Sequence, residues 1–164
     1  MHPVPLKRLL YRTPAIVLVV LLVNVLPFGW LQEGVAAACV ALCGLVGLEV
    51  VRLSSDVIAL PGWPMEIAVA CTMIDYYVGF GVFVWPGPKR WRPFLRLMVV
   101  FFPLLMGLNL VRLLFGFWLF TEGVTWPIAH EVVMGLVYFG LTEWAFHIVR
   151  QSDDSQVQVQ SEVS

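Results

Sequence analysis

LMVVFFPLLMGLNLVRLLFGFWL, residues 97–119, is the stretch on which the reading of this chain turns. It is apolar for longer than the roughly 20 residues that a bilayer of about 30 Å requires. Only Asn109 and Arg112 interrupt it. Three positions apart, they share one helix face, and Gly116 extends that face by another turn. A guanidinium two turns inside such a segment needs a partner or water, and a chain that keeps one there generally uses it.

The rest of the sequence continues this pattern. Of the 164 residues, 60% are hydrophobic and only 13% charged, too few polar groups to cover an ordinary water-facing globule. The formal charge of -1 and the absence of a basic stripe outside the loops exclude nucleic-acid recognition. Further apolar segments lie at about 13–28, 34–51, 65–85 and 128–149. The expected fold is therefore all-α: one polytopic membrane domain over 1–150, a bundle of about five transmembrane helices. Residues 57–64, VIALPGWP, are too short and too rich in proline and glycine to cross, and are expected as a short extended segment before the third helix. Residues 151–164, QSDDSQVQVQSEVS, read as a disordered cytoplasmic tail. The first segment has basic residues before it but no small-residue cleavage site after it, so it is expected to be retained.

Lys89, Arg90, Arg92 and Arg96 crowd the loop before the fourth segment, and Arg150 follows the fifth. The positive-inside rule makes that side cytoplasmic. Localisation is then expected in the cytoplasmic membrane as a multi-pass protein, and Cys71, Arg112 and His130 reach a common depth near the outer face. Lys7, Arg8 and Arg12 run against this orientation, so the C-terminal half of the topology is the firmer.

Thiol, guanidinium and imidazole are the parts of a nucleophilic acyl-transfer site. Cys71 near a helix start would have its thiolate favoured by the dipole. Arg112 would stabilise an oxyanion, or else snorkel to the surface. Thr125 and Pro127 suit the start of a helix whose early turn holds His130 neutral, as a general base requires. Asp75 lies a turn beyond Cys71, either salt-bridging Arg112 or bonding His130. Cys39 and Cys43 read as small buried hydrophobes. No CxxC and no zinc-spaced histidine pair is present, so neither a metal nor an organic cofactor is implied.

Three blocks carry a resemblance: ACTMIDYY with Cys71 and Thr72, GLNLVRLLFG with Asn109 and Arg112, and AHEVVMGLVYF with His130. In order and spacing they resemble the exosortase/archaeosortase family of membrane cysteine transpeptidases, over residues 56–146. Met73 stands where that family has glycine. The resemblance implies a thiol protease with Cys71, Arg112 and His130 catalytic and Asn109, Asp75 and Thr72 supporting. It would cleave the C-terminal sorting signals of exported proteins at the outer face, with membrane lipid around it and an envelope lipid or glycan as acceptor. The competing expectation is a non-catalytic membrane scaffold or assembly subunit with a structural Arg112–Asp75 pair.

Overall fold

The computed structural model describes residues 6–85, 87, 91–144 and 147. Two helices open the chain, α1 (Leu6–Val25) and α2 (Gly29–Leu45). They are bent by 78° at the break around Pro27, where the chain has no continuous helical backbone. A small antiparallel meander follows: β1 (Val51–Arg52), β2 (Val57–Leu60) and β3 (Trp63–Glu66), in the order β1-β2-β3. Pro61 and Gly62 make the tight turn between β2 and β3, and Gly62 takes the positive φ of 77° that such a turn requires. Ile58 pairs with Met65, and both are buried.

The meander is fastened at its exit. The Ile67 N–H donates to the Asp56 carbonyl at 2.7 Å, and Gln32 Nε2 donates to the Ile67 carbonyl at 2.8 Å. A 3-10 turn, Val69–Thr72, then leads into α3 (Ile74–Val84). The long helix α4 spans Trp91–Thr121. A last helix, α5, runs over residues 126–144, with the turn Ile128–Val132 wound as a π-helix. The Arg12 guanidinium of α1 caps the end of α3, donating to the carbonyls of Phe83 and, at 2.7 Å, Trp85.

Three apolar clusters hold these elements together. Cys39 and Cys43 of α2 pack with Ile58, Leu60, Leu113 and Phe117 between the sheet and α4. Met73, Phe80, Phe101, Leu105 and Leu141 join α3, α4 and α5. Val23, Leu31 and Ile74 close the junction of the first three helices.

A bundle of about five transmembrane helices is not what this chain forms. Among the described residues, one helix, Trp91–Thr121, is long and apolar enough to cross a membrane, or two spans if the bent α1–α2 pair counts as one. The multi-pass localisation falls with the bundle. The reason lies in the backbone. Residues 65–85 are apolar throughout, yet β3 takes the first of them and the 3-10 turn the next. The remaining α3 has 11 residues, about 16 Å at 1.5 Å per residue, half of a bilayer core. Lys89, Arg90, Arg150 and the 151–164 tail lie outside the described residues.

Candidate functional site

The inner face of α4 positions the site. Met98, Phe101, Leu105, Asn109, Arg112 and Gly116 recur at intervals of three and four, and all are buried. That face therefore carries its two polar side chains into the interior. Asn109 is fully buried and its Nδ2 donates to the Cys71 carbonyl at 2.7 Å. This bond ties α4 to the 3-10 turn that bears the thiol. Gly116 faces α5: a Cβ there would stand in ordinary van der Waals contact, 3.5 Å from the Ala129 carbonyl oxygen.

The turn around Cys71 is fixed locally. Thr72 Oγ1 donates to the Val69 carbonyl at 2.6 Å, and the Cys71 N–H donates to Ala68 at 2.9 Å. Met73 ends the turn with φ 54°, a left-handed conformation that glycine adopts without strain and other residues rarely do. This is also the position at which the family resemblance expects glycine. Met73 is nevertheless fully buried, so the side chain is held by packing against the strain of its backbone.

Arg112 lies within electrostatic reach of both Cys71 and His130. The Arg112 charge is felt at Cys71, Asp75 and His130, and also at Tyr138 of α5. Burial is the stronger influence on the thiol. It raises the Cys71 pKa, and Arg112 only partly pulls it back. Burial likewise lowers the pKa of His130, with Arg112 acting in the same direction. Burial thus favours the neutral form of both the thiol and the imidazole, the opposite of what a thiolate–imidazolium pair requires.

Arg112 is 3% exposed, and its Nε, Nη1 and Nη2 are all buried without a hydrogen-bond partner among the described residues. Nε2 of His130 and Oδ1 of Asn109 are in the same condition. The Arg112–Asp75 pair is not closed as a contact ion pair: Asp75 Oδ1 accepts the Tyr76 N–H at 2.8 Å, and its interaction with Arg112 acts at longer range. His130 Nδ1 lies 3.6 Å from Glu131 Oε1, and its ring stands 5.0 Å from that of Trp126. The neighbouring position of Glu131 gave no reason to expect that approach. It occurs within the π-wound turn Ile128–Val132, whose irregular winding periodicity does not announce.

Tyr138 completes the ring of groups around Arg112 and was missed. Its only signal was being the lone hydroxyl in the apolar run VVMGLVYFGL. Among the described residues, no group of three or more His, Cys, Asp or Glu side chains could hold a metal ion.

The reading as a polytopic peptidase or transpeptidase of sorting signals is overturned with the bundle it required. That activity presumes a multi-helix membrane scaffold, and the described residues supply one spanning helix, or two spans at most. The descriptions exosortase, thiol protease and multi-pass cell-membrane protein lose their structural basis for the same reason. No protein-family model matches the chain, and no curated protein or solved structure matches it either.

Proposed function

We propose that this chain is a non-catalytic, membrane-associated assembly subunit, anchored by α4 and joined to a partner through the outer face of that helix. One observation carries the reading. Leu104, Leu108, Val111, Phe115 and Trp118 are all solvent-exposed and alternate at spacings of four, three, four and three. That is the period of a seam between two helices. Only 33% of the most apolar 18 residues of α4 is buried, whereas the core helix of a water-facing domain would be mostly covered. An apolar stripe of this length needs lipid, a partner helix, or both.

Photo-crosslinking from a benzophenone residue at position 111 in native membranes tests the reading. The expected product is a discrete protein–protein adduct, absent when the probe sits at the inward-facing position 113. Adducts with lipid alone, or release of the chain by alkaline carbonate, would overturn it.

The nearness of Arg112 to Cys71 favours a second reading, an enzyme acting through the Cys71 thiol. Burial raises the Cys71 pKa, which disfavours the thiolate and weighs toward the assembly reading.

A further inference from the structure

Between α1, α3 and α5 lies a groove of about 370 Å³, within the range of small-ligand sites. Ile16 and Val20 give it an aliphatic wall, and Tyr76, Phe80, Phe83 and Tyr138 give it aromatic ones. Three of these rings are contiguous: that of Tyr76 stands 5.2 Å from Tyr138 and 6.5 Å from Phe80. Among the described residues that line the groove, Asp75 is the one acidic side chain, and none is Lys, Arg or His.

Asp75 lies in the first turn of α3, where its Oδ1 accepts the Tyr76 N–H at 2.8 Å. That bond orients the carboxylate and leaves its charge. A carboxylate against apolar walls is costly unless a cation answers it. Arg112 does not answer it in contact, and acts on Asp75 more weakly than burial and the backbone hydrogen bonds do. Burial raises the Asp75 pKa, and a cation bound in the groove would lower it again.

We propose that this groove binds a small hydrophobic organic ammonium ion, its charge against the Asp75 carboxylate and its apolar body among the aromatic and aliphatic walls. Aromatic faces attract such a cation through their ring quadrupoles, and quaternary ammonium ions are commonly recognised in this way. A cation in the groove meets Asp75 directly, whereas Arg112 does not line the groove, and the Coulomb interaction weakens with distance. With no basic side chain among the described lining residues, carboxylic acids and phosphates are disfavoured. The headgroup of a choline or ethanolamine phospholipid is disfavoured too, because its phosphate would come near Asp75 with no cation to receive it. The inference is independent of the α4 seam, since α1, α3 and α5 supply the groove.

Equilibrium dialysis of benzyltrimethylammonium against the whole protein in non-ionic detergent, with a protein-free micelle blank, tests it. Saturable binding is expected. Phenylacetate carries the same ring and the opposite charge, and should not compete. Benzyl alcohol, which is neutral, should compete only at about tenfold higher concentration or more. Asp75→Asn keeps the size of the side chain and an acceptor for the Tyr76 N–H, and should weaken binding about tenfold, its folding followed by thermal transition. Phe83→Leu should weaken it about threefold through the loss of one ring. Absence of saturable binding, or competition by phenylacetate or benzyl alcohol at concentrations similar to the cation, would overturn the proposal on the unaltered chain, whether or not the variants fold. Unchanged affinity in folded Asp75→Asn would overturn the role of the carboxylate.

Discussion

Residues 65–85 and 97–119 are comparable in length and apolar character, yet the second lies within one helix of 31 residues while the first is divided among β3, a 3-10 turn and the short α3. The difference comes from competing partners for the backbone. Trp63–Glu66 is taken by β2 through the tight Pro61–Gly62 turn, and Asp56 takes the next free N–H at Ile67. A helix cannot begin until those bonds are made, and Met73 then turns the chain through the left-handed region before α3. No strand competes for the backbone of α4, and Pro103 removes one donor without ending it. Hydropathy reports where a segment prefers to lie. Continuity depends on which groups capture its N–H and C=O.

The largest effect that would test this contrast lies within α4. Leu105 is fully buried on the inner face, and Leu105→Ala should destabilise the fold by about 2–5 kcal/mol. Val100 is 68% exposed, and Val100→Ala should stay within about 0.5 kcal/mol. Thermal unfolding in detergent measures both. Similar losses at the two positions would mean that α4 has no distinct inner face.

The bond between the two stretches comes next. Asn109→Ala removes the donor to the Cys71 carbonyl and should cost about 1–3 kcal/mol through the acceptor left unsatisfied. Amide hydrogen exchange should rise at the 3-10 turn and not at the first turns of α4. Uniform exchange across both stretches would show that the bond does not join them.

That inner face was legible in the sequence, because Asn109, Arg112 and Gly116 stand at helical intervals whatever the surroundings. Cys71, Arg112 and His130 stood out as three polar residues isolated in apolar runs, and the structure adds that Arg112 acts electrostatically on the other two. The number of membrane crossings was not readable. Apolar residues look the same in β3, in the 3-10 turn and in α3, and the break at Met73 is a backbone conformation that a buried methionine does not advertise. Tyr138 and the Glu131 approach to His130 depend on how α5 winds and docks.

Met73 offers a smaller and more selective test of the division. An isoleucine at a left-handed φ is disfavoured by its branched Cβ, whereas the helical backbone at Met98 accepts it. Met73→Ile should therefore cost about 1–2 kcal/mol more than Met98→Ile, although both exchange one buried apolar side chain for another. Equal costs would show that the turn between Cys71 and α3 is not strained, and that packing alone divides residues 65–85.

The smallest expected effect is on reactivity, and it asks whether the continuous helix acts electrically on the divided stretch. Burial raises the Cys71 pKa above its ordinary value, so alkylation by iodoacetamide at neutral pH should be slower than for a free cysteine. Its rate should go on rising with pH beyond the ordinary thiol range, since the thiolate is the attacking form. Arg112 favours that thiolate, so Arg112→Gln should move the whole profile to still higher pH and slow the reaction further, by roughly several-fold at a fixed mildly alkaline pH. Asp75 acts on Cys71 with the opposite sign, and Asp75→Asn should shift the profile slightly the other way. The paired signs distinguish electrostatics from loosened packing, because loosening exposes the thiol and speeds alkylation in either variant. A faster reaction in Arg112→Gln would mean that the guanidinium holds the turn closed more than it charges it.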